Sequence, residues 1–118
     1  MMGRNLPGGS SGKPVQTALA THTSTAAETS FTTVAAALPG GATGKPLKLK
    51  ASGSIGGLVQ LQFGSQAVYT LPIAPNQNPV EYIIPSSAFP NHVNSVNIQF
   101  ECTGGIGTLI GIVEFAVD

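Results

Sequence analysis

The stretch Leu47–Phe63, LKLKASGSIGGLVQLQF, decides the fold class. Apolar and polar side chains alternate in both of its halves, and the glycines at positions 56 and 57 separate the halves. Successive side chains of a β-strand point to opposite faces of a sheet, so a period of two gives one apolar face and one polar face. The same alternation recurs in Val96–Cys102, VNIQFEC. These segments predict amphipathic strands.

Further short segments of this kind follow one another through residues 28–118. We predict strands at residues 29–38, 46–55, 58–63, 66–73, 79–84, 94–103 and 107–117, separated by clusters of Gly, Pro, Asn and Ser. About seven or eight short strands with frequent turns are typical of sandwiches and jelly rolls. We therefore predict an all-β fold, a single antiparallel β-sandwich of jelly-roll type. Its predicted core side chains are Leu49, Leu61, Phe63, Ile98, Phe100, Val113 and Phe115.

Residues 1–27 have a different character and are predicted to form an extended N-terminal arm outside the sandwich. They are rich in Gly, Ser, Thr and Ala, and too few apolar side chains are present to offset the entropy lost on ordering. The arm carries Arg4 and Lys13, which we expect to contact a partner. It also contains LPGGSSGKPV at residues 6–15, and this segment recurs at residues 38–47 as LPGGATGKPL, with seven of ten positions identical.

The second copy of this repeat leads into a predicted strand. We therefore expect Pro14–Leu19, including Val15, to add as an edge strand to a neighbouring subunit through main-chain hydrogen bonds. Deleting residues 1–27 is then expected to leave a folded sandwich.

The composition indicates a chain whose surface is largely covered by partners. Charged residues make up only 8% of the 118 residues, which protects a free monomer poorly against association. The five basic residues all lie within the first 50 positions, whereas residues 51–118 contain four acids and no Lys or Arg. Such a division of charge can orient one copy against another or hold a basic arm on an acidic surface.

The predicted strand Thr108–Val117 is apolar on both faces. Leu109 and Val113 share one face, while Ile110 and Ile112 lie on the other with Glu114. A strand of a small sandwich has only one face toward the core, so we assign Ile110 and Ile112 to a subunit interface.

The sequence gives no support for catalysis, cofactors or metal binding. The repeats lack the Gly and Ser/Thr positions of a nucleotide-binding loop, because prolines occupy them. Cys102 is the only cysteine and is expected to be a buried, inert thiol. His22 and His92 are expected to be surface residues, with a Cys102–His92 pair as a weak alternative. We predict no enzyme, no cofactor, no metal, no direct nucleic-acid binding and no membrane segment.

The run ETSFTTVAAALPGGATGKPLKLKASGSIGGLVQLQFGSQAVYTLP, residues 28–72, resembles small jelly-roll domains of tailed-bacteriophage virion proteins, among them capsid decoration (cement) proteins. This resemblance implies a homo-oligomeric, usually trimeric, structural module that docks on the major capsid protein. The expected location is the capsid surface of the virion, after synthesis in the host cytoplasm. Two alternatives remain: a receptor- or carbohydrate-binding module of a phage fibre or tail, and another kind of assembly protein.

Overall fold

A computed structural model describes residues 14–63 and 67–118, without the side chains of residues 63, 67 and 68. The described residues form eight strands and one short 3-10 turn at Pro39–Gly41. The strands are β1 (Val15–Ser24), β2 (Thr32–Ala37), β3 (Gly44–Gly53), β4 (Gly57–Phe63), β5 (Ala67–Ile73), β6 (Val80–Ile83), β7 (Ser95–Glu101) and β8 (Gly107–Val117).

The strands form two antiparallel sheets of four strands each. One sheet, the β8 sheet, has the order β1-β8-β3-β6, and the other, the β7 sheet, has the order β2-β7-β4-β5. The strands pair as nested partners, since β1 pairs with β8, β2 with β7, β3 with β6 and β4 with β5. The predicted all-β antiparallel sandwich is confirmed. No helix in the described ranges is long and apolar enough to cross a membrane.

The core lies between the sheets and follows the alternation of the sequence. The inward side chains of β3, β4, β7 and β8 are completely buried, because both sheets turn their apolar faces toward each other. Six of the predicted core residues have no exposed surface: Leu49, Leu61, Ile98, Phe100, Val113 and Phe115. The seventh, Phe63, has a side chain outside the described part of the chain.

The two sheets approach each other closely where Leu109 packs. A Cβ atom added to Gly53 would lie 2.5 Å from Cδ2 of Leu109, and one added to Gly57 would lie 2.8 Å from Cδ1 of the same residue. Gly57 faces Leu109 from the other sheet and Gly53 is its neighbour in the same sheet, so a Cβ atom at either position would displace the leucine side chain.

Strand β1 corrects the predicted arm. Val15–Ser24 pairs with β8 of the same chain over its whole length, with Ala18 and Ala20 buried in the core. The sandwich therefore begins at Val15, and the boundary predicted at residue 27 is wrong. Arg4 and Lys13 lie outside the described residues.

The sequence repeat explains how β1 and β3 come to flank β8. Val15, the last residue of the first copy, and Lys45, within the second copy, both lie opposite Ala116 of β8. The main chain of Pro14 also accepts a 2.9 Å hydrogen bond from the N–H of Val117. The two copies thus start two strands at one end of the same central strand. The sequence predicted that the main chain of Pro14–Leu19 pairs with a neighbouring subunit. In the structure this pairing is made with β8 of the same chain.

Candidate functional site

The outward side chains of β1, β8, β3 and β6 form a surface that we call the β8 face. Directly paired residues share a face of a sheet, and Ile112 lies between Leu19 of β1 and Lys50 of β3. Ile110 lies in the same way between Thr21 and Ser52. The register therefore places predicted interface residues from two distant segments of the chain next to one another.

Leu19, Ile110 and Ile112 are neighbours on this face, and Val15 lies on the same face beyond Thr17 and Glu114. We call Val15, Leu19, Ile110 and Ile112 together the apolar strip. Leu19 is 60% exposed and Val15 is 57% exposed, while the two isoleucines are half-buried. Pro14 is exposed beside Val15. Binding of a partner that covers large aliphatic side chains as exposed as these is favourable, because their apolar surface is removed from water.

The charges on the β8 face are paired within the chain. Lys50 Nζ lies 3.1 Å from Glu114 Oε2, and Lys48 Nζ lies 3.2 Å from Glu81 Oε1. Lysines from the basic half of the sequence thus pair with acids from the acidic half. The net charge of these four residues is zero. A partner that covers them therefore does not have to bury an uncompensated ion.

The outer surface of the other sheet, the β7 face, is built from amides and hydroxyls. Thr33, Gln99, Gln60 and Thr70 form one row across all four strands. The amide of Gln60 donates to Thr70 Oγ1 over 2.9 Å, and that of Gln99 donates to Thr33 Oγ1 over 3.3 Å. Glu101 is the one charged residue among the described outward positions of this sheet.

A third group of side chains, the end cluster, consists of His22, Glu28 and Cys102. His22 Nε2 lies 2.7 Å from Glu28 Oε2, and Glu28 Oε1 accepts a 2.8 Å hydrogen bond from the backbone N–H of Cys102. The N–H of Glu28 donates in return to the carbonyl of Cys102 over 2.9 Å. The His22 ring stacks on Phe100 at a centroid distance of 6.3 Å. The cluster fastens the β1–β2 connection to the end of β7.

The chemistry of the end cluster does not fit a nucleophilic enzyme. The hydrogen bond from the Cys102 backbone, followed by that from His22, lowers the pKa of Glu28. Burial raises the pKa of the Cys102 thiol, and Cys102 has no exposed surface. A thiol that is protonated and closed to substrate is a poor nucleophile.

His22 differs from the sequence prediction, whereas His92 is exposed as expected. His22 was expected on the surface but is largely buried, with 16% of its side chain exposed. His92 is not paired with Cys102, because its Nδ1 lies 2.5 Å from Asp118 Oδ1. Positions 22, 28 and 102 are too far apart in the sequence for spacing to reveal the cluster, so only the fold brings them together.

Tyr69 and Tyr82 close one side of the sandwich. They lie on the edge strands β5 and β6 and stack with ring centroids 3.8 Å apart. Burial is the main cause that raises the pKa of Tyr82. Tyr69 is 42% exposed, so it does not lie in the core, and one face of its ring is occupied by Tyr82.

Comparison of the chain with protein-family models, curated proteins and solved structures gives no match.

Proposed function

We propose that the protein is a non-enzymatic virion structural protein, a capsid decoration (cement) protein that binds the outer surface of the major capsid protein and stabilises the shell. The observation that carries the proposal is the apolar strip on the β8 face. An exposed apolar surface next to paired charges fits an assembly protein better than a free monomer.

The β8 face is proposed as the contact between copies of the chain in a homotrimer. Leu19 and Ile112 lie side by side, so one face offers a continuous apolar surface from β1 to β8. A neighbouring copy can cover it without separating the Lys50–Glu114 pair. The segment that precedes β1, with Arg4, Lys13 and Pro14, is proposed to contact the major capsid protein.

We also assign the sandwich to the jelly-roll type. The nested pairing of the eight strands in two four-stranded sheets supports this assignment, because a jelly roll contains eight strands in two Greek keys. The assignment agrees with the resemblance to virion domains in residues 28–72.

The proposed mechanism is mechanical. A decoration protein adds contact area at the junctions between capsid subunits, so expansion of the shell must first separate those contacts. Buried area converts inefficiently to affinity, but a trimer that engages several capsid subunits at once gains from the high effective concentration of its second and third contacts.

The first experiment tests self-assembly by light scattering. Ile112→Lys is expected to dissociate the trimer without unfolding it, because the new charge would be buried at the interface. Gln60→Lys is the matched control, since Gln60 lies at a half-buried position of a central strand on the β7 face. A wild-type protein that is folded and monomeric overturns the trimer. If Ile112→Lys and Gln60→Lys dissociate the trimer equally, the assignment of the β8 face as the trimer interface is wrong.

The second experiment tests attachment to particles. Mass spectrometry of purified intact virus particles is expected to find the chain in many copies, and removal of residues 1–13 is expected to abolish its binding to undecorated particles. Deleting residues 1–27 would remove β1, so that deletion cannot leave the sandwich intact as the sequence predicted. If the truncated protein binds as well as the full chain, the sandwich itself and not residues 1–13 contacts the capsid.

The β7 face supports a second candidate, a receptor- or carbohydrate-binding module of a fibre or tail. Its row of amides and hydroxyls offers uncharged donors and acceptors of the kind that sugar hydroxyls match. A glycan array with wild type and Gln99→Ala tests this candidate. Binding lost in Gln99→Ala and retained in Ile112→Lys would favour it over decoration.

A further inference from the structure

We propose that the end cluster is a binding site for a zinc ion, which joins the two sheets at this end of the sandwich. The three side chains offer a histidine nitrogen, a carboxylate oxygen and a cysteine sulfur, and the three ligand atoms lie within 4.8 Å of one another. This site is independent of the proposed function.

The donor set selects the class of metal. Zinc binds nitrogen, sulfur and oxygen ligands, whereas calcium and magnesium prefer oxygen ligands alone. Around a tetrahedral zinc ion, ligand atoms lie roughly 3.3–3.8 Å apart, as follows from metal–ligand bonds of about 2.0–2.3 Å. To reach this range the 2.7 Å contact between His22 and Glu28 must open by about one ångström, and any separation near the 4.8 Å limit of the cluster must close by a similar amount.

The proton and charge balance of the site is simple. The Cys102 thiol releases its proton to solvent and becomes a thiolate, and His22 binds through Nε2 with its proton on Nδ1. Glu28 exchanges the contact of Oε2 with His22 for one with the metal. Two negative ligands then balance the charge of Zn²⁺, so the bound ion brings no net charge into a largely buried place.

The backbone already holds the carboxylate in place for this role. Glu28 Oε1 accepts from the N–H of Cys102, and the N–H of Glu28 donates to the carbonyl of the same residue. Hydrogen bonds to the free atom of a ligating group orient it and raise metal affinity. Three protein ligands leave one position for water, on the side where Glu28 is 23% exposed.

The site would link elements that are far apart in sequence. His22 belongs to β1 of the β8 sheet, Glu28 to the β1–β2 connection, and Cys102 follows β7 of the other sheet. Metal binding to the folded state alone stabilises it according to the metal concentration. We therefore expect Zn²⁺ to raise the melting temperature and a chelator to reverse the effect.

The experiment titrates the full chain with Co²⁺ and Zn²⁺. Wild type is expected to develop a near-ultraviolet sulfur-to-cobalt charge-transfer band, which has a single possible source because the chain has one cysteine. The band should vanish in Cys102→Ser, and His22→Gln should bind Co²⁺ at least about tenfold more weakly. His92→Gln is the matched control for the only other histidine and should behave as wild type.

Two results would overturn the site. The first is a wild-type protein that shows no charge-transfer band at saturating Co²⁺. The second is a zinc-dependent rise in melting temperature that is equal in wild type and His22→Gln. If Cys102→Ser fails to fold, His22→Gln decides the question alone, because circular dichroism checks its fold before the titration.

Discussion

The two outer faces of the sandwich differ although their inner faces are alike. The β8 face combines an apolar strip with two ion pairs, whereas the β7 face carries amides, hydroxyls and one described charge. Both sheets bury equally apolar side chains between them. The fold requires only the inner faces, so the contrast between the outer faces calls for a separate explanation, and the proposed interface on the β8 face supplies one.

The largest expected effect tests whether the two faces enclose one common core. Phe115 lies beneath the β8 face and Phe100 beneath the β7 face, and both are completely buried. Phe115→Ala and Phe100→Ala should each lower the free energy of unfolding by about 3–5 kcal/mol, measured by chemical denaturation. Ile83→Ala, at a side chain that is 66% exposed, is the control and should change it by less than about 0.5 kcal/mol. A cost below about 1 kcal/mol for either phenylalanine would mean that its sheet is loosely packed.

A smaller effect tests how closely β4 and β7 approach each other within the β7 sheet. A Cβ atom at Gly57 would clash with the carbonyl oxygen of Glu101, whereas one at Gly56 has its nearest neighbour at 3.7 Å. Gly57→Ala should therefore lower the free energy of unfolding by about 1–3 kcal/mol, and Gly56→Ala should be close to neutral. Equal effects in thermal denaturation would mean that β4 and β7 can move apart without cost at this end.

The ion pairs of the β8 face should contribute little to folding. A double-mutant cycle on Lys50→Ala and Glu114→Ala should give a coupling of about 0–1 kcal/mol in the free energy of unfolding, because both side chains are partly exposed to solvent. The same single variants should weaken trimer formation more than folding, since each leaves one unpaired charge inside the proposed interface. A trimer that tolerates both single variants would indicate that this part of the face stays in solvent.

The smallest effect is expected on the β7 face. Gln99→Ala removes one hydrogen bond to Thr33 between exposed or half-exposed side chains, and it should change the free energy of unfolding by less than about 0.5 kcal/mol. Neither folding nor trimer formation is expected to depend on it, as light scattering and denaturation can check. A clear loss of trimer would contradict the assignment of the interface to the β8 face alone.

Seven of the eight strands were predicted, most of them because their inward residues are large and apolar. Strand β1 was missed because its inward residues include the small Ala18 and Ala20, whereas its largest apolar residue, Leu19, faces outward. Small side chains suffice there since Ile98 and Phe100 reach across to Gly111, which lies opposite Ala20 on β8. The repeated turn predicted an extended segment at Pro14–Leu19, but it did not indicate that this segment pairs with β8 of the same chain.

The candidate sites also differ in how far the sequence could predict them. Ile110 and Ile112 were found because a strand with two apolar faces departs from simple alternation. Their contact with Leu19 required the register of β1 on β8, which no local pattern specifies. The end cluster depends on chain segments some 80 positions apart, so neither spacing nor residue type could have predicted it.

The place of β8 between β1 and β3 also sets the timing of folding during synthesis. Residues 107–117 are translated after every other strand, and until they leave the ribosome β1 has no partner and β3 can pair only with β6. A lone pair of strands is only marginally stable in water. The nascent chain therefore cannot complete its core until β8 emerges. Such late, long-range closure is slow and leaves partly folded chains open to aggregation.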